Sequence, residues 1–60
     1  MTSKYLPAQL PTIRVEAEQM AADRESWAVA ARQQDLHGTA KEQELTALLL
    51  RDLARRLPEV

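Results

Sequence analysis

Two spacings of apolar residues overlap near the start of the chain. Over residues 12–17, Thr12, Arg14 and Glu16 alternate with Ile13, Val15 and Ala17. A period of two is the pattern of a half-buried strand, and β-branched side chains fill three of the first four positions. The second spacing is helical. Ile13, Met20 and Trp27 recur at intervals of seven, with Ala17 and Ala31 between them. These residues line one face of a helix that begins near Thr12, and Pro11 suits its first turn. The sequence leaves both readings of residues 12–17 open.

Beyond them the pattern is helical on either reading. The stretch EQMAADRESWAVAARQQDL has no glycine or proline, which predicts a helix over about residues 18–36. Met20, Trp27, Ala28 and Ala31 form its expected buried stripe, with Trp27 as the anchor. Gly38 is expected to end this helix in a left-handed conformation. Thr39-Ala40-Lys41-Glu42 has the form of a capping box. It opens a second helix over about residues 40–57, which Pro58 stops.

That second helix carries Leu45, Leu48, Leu49, Leu50, Leu53 and Leu57. Together they spread over about half its circumference, more than the roughly 100° stripe of a surface helix. A helix so widely apolar needs more than one neighbour, and a two-helix chain supplies only one. Residues 1–11, with Pro7 and Pro11, read as an extended arm. Residues 12–57 read as one dimerising domain and residues 58–60 as a short tail.

Composition supports this picture. A chain of 60 residues is marginal alone, and the usual supports are disulfides, metals or oligomerisation. It has no cysteine and one histidine, so no metal site or cofactor is expected and a homodimer is. No nucleophile is paired with a base, His37 sits beside a turn, and a single glycine makes no phosphate loop. No enzyme is therefore expected. His37 reads as a helix C-terminal residue that suits the dipole. The carboxylates suit solvated helix faces, with pairs such as Glu18–Arg14 and Glu44–Lys41. No apolar run is long enough for a membrane span, and residues 1–11 have no signal-peptide character. Cytoplasmic localisation is the expectation.

The helix start at Gly38-Thr39-Ala40-Lys41 offers free amides to a phosphate. If the period-two reading holds, residues 12–17 pair with the same strand of a second copy. Such a two-stranded ribbon fits the major groove of DNA, with Thr12 and Arg14 facing the bases.

The order strand, helix, glycine turn, capped helix resembles the ribbon-helix-helix repressors. The run of Gly38, Glu42, Glu44, Leu45, Leu48 and Leu49 looks especially like the DNA-binding domains of antitoxins. The resemblance implies a mainly α, ribbon-helix-helix homodimer that binds duplex DNA as a repressor, with a toxin as a protein partner. Thr12, Arg14, Thr39, Ala40 and Lys41 match its DNA contacts. Ile13, Val15, Leu45, Leu48 and Leu49 match its dimer core, to which Trp27 and Leu53 are added from the apolar pattern. The alternative fold is an all-α antiparallel hairpin that pairs into a four-helix bundle. Its function would be an interaction or adaptor module without DNA.

Overall fold

The computed structural model describes residues 9–59. Most of the expected arm, residues 1–8, and the last tail residue lie outside them. The described residues form two antiparallel helices, α1 (Arg14–Gln33) and α2 (His37–Arg56), with no strand among them. The fold is therefore mainly α and takes the hairpin form.

The strand expected over residues 12–17 is corrected. Ile13 is extended and serves as the N-cap, and α1 begins at Arg14. The physical reason is local. A lone strand leaves its backbone groups without partners, whereas a helix satisfies its own. The Ala17 amide donates to the Ile13 carbonyl at 3.2 Å, and the otherwise orphaned Arg14 amide donates to the Pro58 carbonyl at 3.0 Å. Both helix ranges also shift, from about 18–36 and 40–57 to 14–33 and 37–56.

The turn differs from expectation as well. The residue with positive φ is Asp35, at 60°, not Gly38. The Leu36 amide donates to the Ala31 carbonyl at 2.8 Å and the Asp35 amide to the Arg32 carbonyl at 3.1 Å. This pair of bonds is a Schellman motif with Asp35 in the left-handed position. Gly38 instead lies in the first turn of α2. Packing explains the choice: ending α1 at Gln33 lets Ala40 seat against Ala28 and Ala31. Continuing α1 to His37 would carry Ala40 past them. Consequently Leu36 is the N-cap of α2 and makes no side-chain cap. Thr39 does not cap, and His37 opens a helix rather than closing one.

The core is built from alanine. Ala17, Ala21, Ala28 and Ala31 are buried on α1, and Ala40, Ala47 and Ala54 on α2. Among the described residues, Leu50 is the one large side chain that is fully buried. Ala40, Ala47 and Ala54 recur every seven residues, as do Ala21 and Ala28. Small side chains at heptad spacing hold one seam towards the partner helix. Trp27, expected as the core anchor, is 52% exposed.

Arg14 closes the open end of the hairpin. Its Nε donates to the Ala54 carbonyl at 3.0 Å and its Nη2 to the Leu57 carbonyl at 3.3 Å, while Nη1 pairs with Glu59. These carbonyls stand at the C-terminal end of α2, where the dipole favours a cation, and the Ala54 carbonyl also accepts from the amide of the C-cap Leu57 at 3.2 Å. The expected Glu18–Arg14 and Glu44–Lys41 pairs do not form. Glu44 pairs with Arg32 across the hairpin, and Glu25 pairs with Arg51 at 2.6 Å.

Candidate interaction surface

The described residues span 38 × 24 × 15 Å. Two helices lie side by side in a layer one helix thick, so each has a broad side that no other described residue covers. Stable domains normally bury such sides between two layers.

The two sides differ. One bears Glu18, Glu25 and Arg32 on α1 and Glu44, Arg51 and Arg55 on α2, where the two cross-helix ion pairs form. An open groove of about 570 Å³ runs past Arg14, Glu18, Leu48 and Arg51, and a smaller one of about 360 Å³ past Val29, Leu48 and Glu44. The hydrogen bonds from Arg51 hold the Glu25 carboxyl below its ordinary value, against a smaller opposing desolvation and with a still smaller contribution from the Arg51 charge. Glu25 in turn raises Arg51.

The opposite side is apolar. At about 100° per residue, Ile13, Met20 and Trp27 run along one edge of the α1 core seam. Leu45, Leu49 and Leu53 run along the matching edge of α2. Ile13, Met20 and Leu53 are half-buried, whereas Leu45 and Leu49 are each 39% exposed. Met20 packs against Ala21, Ala47 and Leu50. The guanidinium of Arg24 lies 5.2 Å from the centre of the Trp27 ring and donates to Gln43 at 3.0 Å. A cation–π contact of this kind holds the ring while leaving most of it outside the core.

The residues expected to touch DNA are scattered. Thr12 is exposed ahead of α1, and Arg14 is engaged with the end of α2. At the other end of the hairpin, Lys41 is exposed and Thr39 half-buried. Ala40 has no exposed surface at all. Helices of this length put the two ends about 30 Å apart, so one chain does not bring them together. Of the expected dimer core, Ile13, Trp27, Leu45, Leu49 and Leu53 share the apolar side. Leu48 lies on the charged side at 66% exposure, and Val15 at 55% lies on neither seam.

Sequence patterning did not single out Arg24 or Arg56, and it placed Glu42 only in the capping box and the antitoxin-like run. Glu42 and Arg56 bracket the leucine stripe on α2, and their opposite charges at its two ends were the available signal. Among the described residues, no group of three acidic or histidine side chains is placed to hold a metal. No described helix is long and apolar enough to cross a membrane. In comparisons with known proteins, no family model, curated protein or solved structure matches the chain.

Proposed function

We propose that this chain is a small helical-hairpin interaction module that works by presenting the Trp27–Leu45–Leu49 side to another protein surface. One observation carries the reading. Among the described residues, the hairpin core is mostly alanine with Leu50, while Trp27, Leu45 and Leu49 are left exposed. A monomer gains little from that division, because a buried methyl contributes only about 0.8 kcal/mol where a buried leucine contributes about 1.5–3. A binding surface gains from it, because aromatic and aliphatic anchors dominate interface energetics.

The duplex-DNA reading has less to rest on. Its base-reading arginine is occupied by α2, and its ribbon has no strand among the described residues. The cations are also largely matched: Arg14, Arg32, Arg51, Arg55 and Arg56 all sit in ion pairs within the chain.

The test is the fluorescence of Trp27, the single tryptophan, with uptake of an apolar dye, across a concentration series. Dilute protein should show water-like emission and bind dye. On binding a protein surface, the emission should move to shorter wavelength and the dye should be released. Emission that stays water-like with no dye uptake at any concentration would overturn the reading. So would binding to random duplex at low salt that weakens with added salt and requires Arg14.

A further inference from the structure

The apolar side has a symmetry that names its partner. On α2 the stripe runs Glu42, Leu45, Leu49, Leu53, Arg56. Leu45 and Leu53 lie four residues on either side of Leu49, and Glu42 and Arg56 lie seven. The stripe is thus the same when reversed, except that its end charges are opposite. On α1 the stripe Ile13, Met20, Trp27 is centred on Met20 in the same way.

The two centres stand at one height. Arg24 meets Gln43, Ala21 sits with Ala47 and Leu50, and Arg14 reaches Ala54. This register puts Met20 beside Leu49, so a single two-fold axis crossing both helices at that height maps each stripe onto itself.

We infer that the apolar side binds a second copy of this chain, antiparallel, about a two-fold axis that lies in the interface and crosses both helices at the height of Met20 and Leu49. The inference rests on the interaction-module reading and specifies its partner. Leu49 then faces the partner subunit's Leu49, and Leu45 faces the partner subunit's Leu53. Ile13 faces the partner subunit's Trp27. Glu42 meets the partner subunit's Arg56 at both ends, as an isologous interface requires. The other two-fold arrangement keeps the turns together. It sets Trp27 on the partner's Glu42 and Ile13 on the partner's Arg56, and so buries charge against apolar surface. Glu16 and Asp23 border the α1 stripe on its outer edge, so the charge matching lies on α2.

The area is adequate. Two helices about 30 Å long and about 20 Å wide together offer about 600 Å² per copy, and about 1,200 Å² in total is the lower edge of stable specific interfaces.

The full chain should be a dimer by sedimentation equilibrium at micromolar concentration. Glu42→Arg and Arg56→Glu should each weaken association about tenfold, since each places like charges together at both ends of the interface. The double swap E42R/R56E should restore it to within about threefold of the unaltered chain. In a separate measurement that needs no charge change, Leu49→Cys should form a disulfide-linked dimer on mild oxidation, because the axis brings the two introduced thiols face to face. Circular dichroism checks that each variant keeps its helices.

Losses that simply add in the double swap would overturn the arrangement. A dimer of the L49C variant whose thiols do not link would overturn it too. A monomer at about 100 µM that still takes up apolar dye would reject the second copy and leave the module reading standing, since that is far above the concentrations at which specific interfaces assemble. A monomer that takes up no dye would defeat both.

Discussion

Arg14 is the residue with the most to lose. Its guanidinium serves two carbonyls at the end of α2 and one carboxylate beyond it. Truncation leaves the Ala54 and Leu57 carbonyls without these partners. Hydrogen bonds from a charged donor contribute about 1.5–3 kcal/mol, and partial exposure moves the figure to the lower end. Arg14→Ala should therefore lower unfolding free energy by about 1–2 kcal/mol in urea denaturation. Arg14→Lys should recover less than half of that, since an ammonium cannot span the same acceptors. The turn offers the opposite case. Asp35 holds a left-handed backbone that costs an L-residue about 1–2 kcal/mol, so Asp35→Gly should raise the melting temperature. Nothing stands within 4 Å of a Cβ added at Gly38. In a helical first turn, Gly38→Ala should stabilise by about 0.5–1 kcal/mol. Had Gly38 been the left-handed C′ residue, the same change would have been destabilising.

At the scale of the helix pair, the seam and the charged side answer to different measurements. Ala47 and Ala21 face each other across a contact built for methyl groups. Ala47→Leu should cost about 1–3 kcal/mol through overpacking, although leucine is the better hydrophobe. The Glu25–Arg51 pair makes the hairpin sensitive to acid. Its carboxyl titrates lower in the folded chain than in the unfolded one. Its stabilisation is thus complete above the unfolded value, about 4.3, and disappears as pH falls through the folded value. The melting temperature should drop on acidification below about pH 5, and less steeply in Glu25→Gln.

These helices are legible in the sequence for a reason that also hides their seam. Helix formers from Glu16 onward and the interval of seven through Ile13, Met20 and Trp27 point to α1. Large apolar side chains then draw the expected core to Trp27 and the leucines. The alanines that form it stand at spacings of seven as Ala40, Ala47 and Ala54, but alanine signals helix propensity and burial equally. The Arg14 clasp is beyond reach, since it joins segments far apart in the chain and has no periodicity. Residues 12–17 satisfy two periods at once. The choice falls to whether a strand has a neighbour, which a single sequence does not contain.

For the whole molecule, the one-layer shape makes stability a question of concentration. If the second copy covers the apolar side, unfolding releases two chains from one native dimer. The melting temperature must then rise with protein concentration by mass action. A tenfold increase adds about 1.4 kcal/mol per dimer. For a chain of this length the midpoint should rise by several degrees per decade, because about 1 kcal/mol moves a small domain by about 4–8 °C. Calorimetry from about 5 to about 500 µM checks this. The variant L45K/L49K separates the causes. Both side chains lie outside the alanine seam, so their replacement leaves the hairpin contacts of Leu50 and Ala47 in place. It should lower the midpoint and abolish its dependence on concentration. Leu50→Ala should instead lower the midpoint by removing a fully buried leucine side chain, a loss of about 2–5 kcal/mol, and keep the dependence for as long as it folds. A midpoint for the unaltered chain that stays constant across the whole series would mean that the alanine seam, the Schellman turn and the Arg14 clasp hold the hairpin without a second layer.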